Sequence, residues 1–394
     1  MNTWFANIET FLLFTKNMRF VFLKSSPAFF TSEQKYTSMR FLNLTLFLIL
    51  IIAVSVCGCT TPSPAPAHMS PQTAGPTTPV GSTPWKFVVF ADSPDPAANT
   101  TTGVSPELIP IATAIAAEKP DLTLYMGDLV NGWELTNASP MAGNYTGQLG
   151  NWMADVDPIH NYTTGTGIPI YVVRGNHEDG LTQTVAPLLN AYRATAASGM
   201  PANGPPGEEK LTYSFTYKGA KFIGIDNYIA HDGLKETVNQ SWMDEQLTKD
   251  TRPFMFVFGH SPAYVVVNDT DDEDFALATH PPQRDIFWES MVKTNVSAYF
   301  CGHAHLYARS ESRNVQQIVS GNAGAHMIAF DPADIDPALT LEYPVKAIAL
   351  KSQRVGYLVI TVHEDTGTFD GIQKTLNPVT NVWETGDTFS LKAR

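Results

Sequence analysis

Short apolar runs that stop abruptly at polar tips recur along the chain from Trp85 onward. WKFVVFAD (85–92), DLTLYMGD (121–128), IPIYVVRGNHED (168–179), RPFMFVFGHSP (252–262) and VSAYFCGHAH (296–305) are continuous rather than alternating, and rich in β-branched and aromatic residues. Runs of this length, closed by Gly or Pro, predict buried strands. LTYSFTYKGAKFIGID (211–226) predicts a hairpin pair turning at Lys218 and Gly219. QQIVSGNAGAH (316–326), VGYLVITVHED (355–365) and GTFDGIQKTL (367–376) predict further strands. Two segments carry helical patterning instead: LIPIATAIAAEKP (108–120), closed by Pro120, and the shorter SWMDEQLTKD (241–250). The stretches 131–165 and 179–210 show no decodable pattern and read as variable loops.

Strand, polar loop, helix, strand is the recurring order, which predicts an α/β fold with layered sheets. The strand-rich tail favours a β-sandwich of mixed sheets flanked by helices over one doubly wound sheet. In such folds functional groups gather at the carboxyl ends of strands, and the polar tips stand at such ends. The chain divides into an N-terminal extension with a targeting or anchoring segment (1–59), a linker (60–84) and one domain (85–394).

MRFLNLTLFLILIIAVSVCGC (39–59) has a lone basic residue, Arg40, then an unbroken apolar stretch and small residues at its end. This is the layout of a secretory signal, with Met39 as its natural start. The run is also about long enough to span a bilayer as an anchor. VCGC resembles a lipobox, in which Cys59 carries lipid. All three readings place the domain outside the cytoplasm, membrane-tethered or secreted. Residues 60–84 are Pro, Thr, Ser and Ala with almost no charge, the composition of an extended spacer. Asn-x-Ser/Thr triplets at Asn99, Asn137, Asn144, Asn161, Asn239, Asn268 and Asn295 are compatible with that placement.

The formal net charge of -13 opposes nucleic-acid binding. Of three cysteines, Cys57 and Cys59 end the apolar run and Cys301 sits inside a predicted strand, so no disulfide framework is available to the domain. The acidic run DTDDED (269–274) reads as a solvated loop and lacks the spacing of a calcium-binding loop.

The polar tips, in order, are Asp92, GDLVNG with Asp128, GNHE with Asn176 and His177, GH with His260, and GHAH with His303 and His305. Carboxylate, amide and imidazole groups suit divalent cations, and glycines before them let the backbone turn at the strand ends. Two His at i and i+2 point apart on a regular strand, but in a loop just past one they can reach two neighbouring ions. The bland alternatives are strand-end turn residues for Asp92, Asp128 and Asn176, and surface His for the imidazoles.

This ordered set resembles the calcineurin-like metallophosphoesterase superfamily, which includes purple acid phosphatases; the likeness runs from Trp85 to beyond Gly321. It implies a phosphate-ester hydrolase with two divalent ions (Mn, Zn or Fe) that attacks phosphorus with a metal-bound hydroxide. Asp128 would bridge the ions. Asp92 and His305 would hold the first, and Asn176, His260 and His303 the second. His177 would act as general acid or transition-state stabiliser. Pro94 stands where the family usually has His, and Asn131 where purple acid phosphatases have Tyr, so the first ion lacks a ligand that Asn131, Asp95 or water would replace. That gap leaves a second reading open, a non-catalytic metal- or phosphate-binding protein on the same fold. A zinc hydrolase of other esters would need a HExxH-type helix, which is absent from the sequence. Arg174 is a phosphate contact or a buried pairing. Trp133, Trp152 and Tyr264 line a pocket or pack. His160, His231, His280, His326 and His363 fall outside the motifs, with His326 a candidate neighbour of the site.

Overall fold

The computed structural model describes residues 83–179, 185–265, 276–328, 345–350 and 354–394. The segment 1–59, the linker up to residue 82, and the acidic run 269–274, with Cys57, Cys59 and Asn268, lie outside the described residues. Among the described residues no helix is long and apolar enough to cross a membrane.

The first elements are β1 (Trp85–Phe90), α1 (Leu108–Glu118), β2 (Leu122–Met126), α2 (Tyr145–Asp155), β3 (His160–Asn161), β4 (Thr166–Gly167), β5 (Ile170–Val173) and α3 (Val185–Ala194). Then follow β6 (Tyr213–Tyr217), β7 (Ala220–Gly224), α4 (Gln240–Lys249), β8 (Phe254–Phe258), α5 (Pro281–Lys293) and β9 (Ala298–Cys301). The chain closes with β10 (Tyr307–Ser312), β11 (Val315–Ser320), β12 (Val345–Leu350), β13 (Gly356–His363), β14 (Thr368–Leu376) and β15 (Trp383–Lys392).

Two large mixed sheets result, ordered β15-β14-β13-β1-β2-β5 and β12-β10-β11-β9-β8-β7-β6, with β3-β4 a small ribbon. Inside the first sheet β1, β2 and β5 are parallel. Inside the second β7, β8, β9 and β11 are parallel. Phe87 of β1 meets Phe222, Phe256 and Phe300 of the other sheet, and Phe369 of β14 meets Phe256, so the sheets pack face to face. Each such buried Phe contributes about 1.5–3 kcal/mol.

Strand β8 shows why the runs read as continuous. Phe254, Phe256 and Phe258 face the inter-sheet core, while Met255 and Val257 join a second core with Met243 and Leu247 of α4 and Phe287, Trp288 and Met291 of α5. On the first sheet Phe90 and Tyr125 lead outward to Trp152 of α2. Both strand faces are covered, so neither can be polar.

The layered sandwich is therefore as expected. Lys218 takes a left-handed φ of 48° at the hairpin turn, and α1 stops at Lys119, φ 51°, before Pro120. The stretches read as loops are corrected: 131–165 holds α2 and β3, and 179–210 holds α3. Helix α2 hides its identity behind Gly147 and Gly150, and its start is fixed instead by Asn144, whose side chain accepts from Gly147 N. Helix α4 is capped the same way by Asn239.

Candidate metal centre

Strands β1, β2, β5, β8 and β9 each release the chain at their carboxyl ends, and the five loops meet between the sheets. Asp92 and His303, 211 residues apart, are joined there: His303 N donates to both Asp92 carboxylate oxygens at 3.2 and 3.0 Å. His260 Nδ1 lies 2.7 Å from Met126 O, linking β8 to β2. His177 N donates to Asp128 Oδ1 at 3.0 Å, linking β5 to β2.

Two donor groups form. Ligand atoms of Asp128, His260 and His303 lie within 4.8 Å of one another, and so do those of Asp92, Asp128 and His305. Asp128 belongs to both. Asn176 Oδ1 stands 3.0 Å from His260 Nε2 and 3.0 Å from His303 Nδ1, which adds an amide oxygen to the first group. All six side chains expected as ligands are thus brought together. The two His of GHAH divide between the groups because β9 ends at Cys301 and His303 takes a φ of 70°.

Second partners aim these groups. With His260 Nδ1 at Met126 O and His305 Nδ1 2.8 Å from His326 O, both rings present Nε2 to the centre. Glu178, the acid of GNHE, is buried and accepts from Asp128 N, Leu129 N, Val130 N and Gly175 N. It ties the GD loop to the GNHE loop. Asn227 Oδ1 accepts from His260 N and Ser261 N, fixing the GH loop. Neither role was assigned from sequence. The signal for Asn227 was present, since it follows the apolar run of β7 as the ligands follow theirs. Glu178 offered no such signal, because its partners are backbone groups of a distant loop.

Gly127, just before Asp128, turns the GD loop as expected with a φ of 83°, whereas Gly302 and Gly175 act differently. At Gly302 a Cβ would sit 2.5 Å from Asp92 Oδ2, and at Gly175 a Cβ would strike Asp128 Oδ1. Their task is to let carboxylates of facing loops approach. Ligands share in the sharp turns: Asp92 and Asp128 have φ of 67° and 51°.

His177 is buried. Its Nδ1 lies 3.0 Å from Asn131 O, and its Nε2 lies 3.4 Å from Glu134 Oε2 and 3.7 Å from Asp128 Oδ2. Burial alone would lower its pKa; Asp128 and Glu134 outweigh that and raise it. Burial likewise would raise Asp128, but His260 and His177 hold it well below the carboxylate range. Burial keeps His305 neutral, with a pKa of about 4, leaving its lone pair available. Two buried carboxylates so close together, amid imidazole and amide donors, are the environment a divalent cation neutralises.

The proposed substitutes for the missing ligand at Pro94 are both engaged elsewhere. Asn131 Nδ2 donates to Asp95 O, and its Oδ1 accepts from Asp95 N. The Asp95 carboxylate accepts from Thr100 Oγ1 and Ala97 N. The side chains of the first donor group are therefore Asp92, Asp128 and His305. Arg174 is a buried pairing, held by Asp226 at 2.8 and 3.0 Å and by Asp179 at 3.0 Å. Trp152 and Tyr264 are core residues packed on Tyr125 and Trp288. Trp133 stands at the site, its Nε1 donating to Asn176 O at 2.9 Å. His231, His280 and His363 pair with Glu208, Glu236 and Asp370, and His160 packs on Tyr162. His326 touches the site through its backbone oxygen.

Residues 86–307 match the family model described as calcineurin-like phosphoesterase. A serine/threonine-protein phosphatase of Bos taurus, CPPED1, is 24% identical over 216 residues, 53% of this chain and 61% of that protein. The chain thus spans under two thirds of that relative's length. The purple acid phosphatase PPD1 of yellow lupin (Lupinus luteus) superposes with a TM-score of 0.58 at 18% identity, over 80% of this chain and 55% of that one. A structure of PhoD gives 0.56 at 16% identity, over 80% and 71%. These two likenesses show the shared fold.

Proposed function

The chain belongs to the calcineurin-like phosphoesterase family, and on that footing we propose that it hydrolyses a phosphate ester with two divalent metal ions. The observation that carries the proposal is Asp128, which belongs to both donor groups at once. Asp92, Asp128 and His305 would hold one ion, and Asp128, Asn176, His260 and His303 the other. Such ions supply Lewis acidity at phosphorus and a lowered pKa for water. The phosphatase relative supports the same reaction class.

The chain's own residues do the rest. Nδ1 of His177 is committed to Asn131 O, so Nε2 is the nitrogen that faces the centre. Flanked by Asp128 and Glu134, it holds a proton and gives it to the departing ester oxygen. Glu178 and Asn227 keep the loops in register. With three protein ligands at the first position against four at the second, the first ion is the more exchangeable. The domain works outside the cytoplasm; that reading rests on the apolar run 39–59 and the spacer 60–84.

The test is metal analysis of the purified chain beside turnover of p-nitrophenyl phosphate and its bis ester with manganese, zinc or iron. Two ions per chain with turnover are expected. Absence of turnover with every metal contradicts the proposal and favours the binding protein. Mild chelation should remove one ion before the other; simultaneous loss contradicts the inequality of the two positions.

A further inference from the structure

We propose that Glu134 sets the substrate class of this site, admitting phosphodiesters, whose phosphoryl group carries one negative charge, over phosphomonoesters, which carry two; the inference rests on the phosphoesterase reading above. Glu134 ends a short 3-10 turn, Gly132–Glu134, that follows the GD loop. Several contacts hold this turn against the site. Gly132 N donates to Gln148 Oε1 at 2.8 Å, and Gln148 Nε2 donates back to Gly132 O at 3.2 Å. Trp133 Nε1 donates to Asn176 O, and Glu134 N to Asn131 O at 3.1 Å. These bonds fix the backbone from which the Glu134 carboxylate extends.

Its Oε2 lies 3.4 Å from His177 Nε2, the nitrogen facing the centre, while 42% of its side chain remains exposed. It therefore stands at the mouth, between solvent and the place where a phosphoryl group must lie. The two Arg nearest the motifs in sequence offer that group nothing. Arg174 is buried between Asp226 and Asp179, and Arg309 is buried on Asp387 at 2.8 Å. A second negative charge on the phosphoryl group would meet a carboxylate a few Å away at a partly desolvated rim, where like charges repel more than in bulk water. An esterified second oxygen removes that charge.

The experiment uses the full chain loaded with Mn²⁺ at pH 8, as wild type, Glu134→Gln and Glu134→Lys. The substrates are p-nitrophenyl phosphate and methyl p-nitrophenyl phosphate, which share a leaving group and differ by one charge. Wild type is expected to show the higher kcat/KM for the methyl diester. The monoester-to-diester ratio should rise about fivefold in Glu134→Gln, roughly what about 1 kcal/mol of repulsion gives, and further in Glu134→Lys. Calorimetry with inorganic phosphate and dimethyl phosphate should show the same shift in relative Kd without turnover. A ratio that stays within twofold in both variants, or a wild type that prefers the monoester, overturns the role of Glu134 and leaves the phosphoesterase reading intact. Turnover of neither ester overturns the reading beneath it.

Discussion

Asp92, Asp128 and His303 are non-glycine residues held at positive φ, 67°, 51° and 70°. Such backbone is costly and persists where surrounding structure over-determines it. Here it turns three side chains inward at strand ends. Their functional weight can be separated by metal content. Asp128→Ala should lose both ions and lower kcat by more than about a hundredfold, exceeding the loss for a residue that only orients a ligand. Asp92→Ala should retain about one ion under the same loading. Equal metal loss in both variants would deny Asp128 its shared position; inductively coupled plasma analysis reads the difference. Gly175→Ala is a second case. Its methyl would strike Asp128 Oδ1, so stability should fall by about 1–3 kcal/mol in a urea titration, and metal should be lost with it. A normal midpoint would show that the two loops can part without harm.

The seven residues of the candidate site all stand just after apolar runs, because a strand end is the place from which a side chain can reach a shared centre. Glu178 could not be read this way. Its contacts are with N–H groups of residues 128–130 and 175, and backbone geometry leaves no trace in side-chain pattern. Asn131 and Asp95, read with water as alternatives to complete the first group, are bonded to each other instead, which sequence distance does not disclose.

Among the elements, the GNHE loop is braced at both of its ends by one guanidinium. Arg174, just after β5, reaches Asp179 on the far side and Asp226 after β7, and Lys235 also pairs with Asp179. Arg174→Ala leaves Asp226 buried without its guanidinium partner, while Asp179 keeps Lys235, so unfolding stability should drop by about 3–5 kcal/mol. A loss under 1 kcal/mol in denaturant titration would mean the brace is dispensable. Helix α2 offers a milder case: Asn144→Ala removes the acceptor for Gly147 N and should cost about 1 kcal/mol. Helices α2 and α3 escaped the sequence reading because they are less apolar overall than α1 and carry residues that disfavour helix. Gly147 and Gly150 interrupt α2, and Pro187 sits near the start of α3. Helix α1, apolar along its buried side and closed by Pro120, was readable.

Taken together, the two mixed sheets bring five strand ends from distant parts of the sequence to one place. The buried parallel strands were readable one by one, since they are unbroken apolar runs, whereas β10, β12 and β15 were not. Their assignment to two sheets was readable only as a class, because pairing depends on Phe87, Phe222, Phe256, Phe300 and Phe369 meeting across the sandwich. The shared carboxylate between the sheets is the claim on which the chemistry depends. Anomalous diffraction from crystals of the chain grown with Mn²⁺, recorded at the manganese edge, tests it most directly. Two peaks about 3.5–4 Å apart, both touching Asp128, with Asp92 and His305 on one side and Asn176, His260 and His303 on the other, are the predicted result. A single peak, or ions bound away from Asp128, would contradict it.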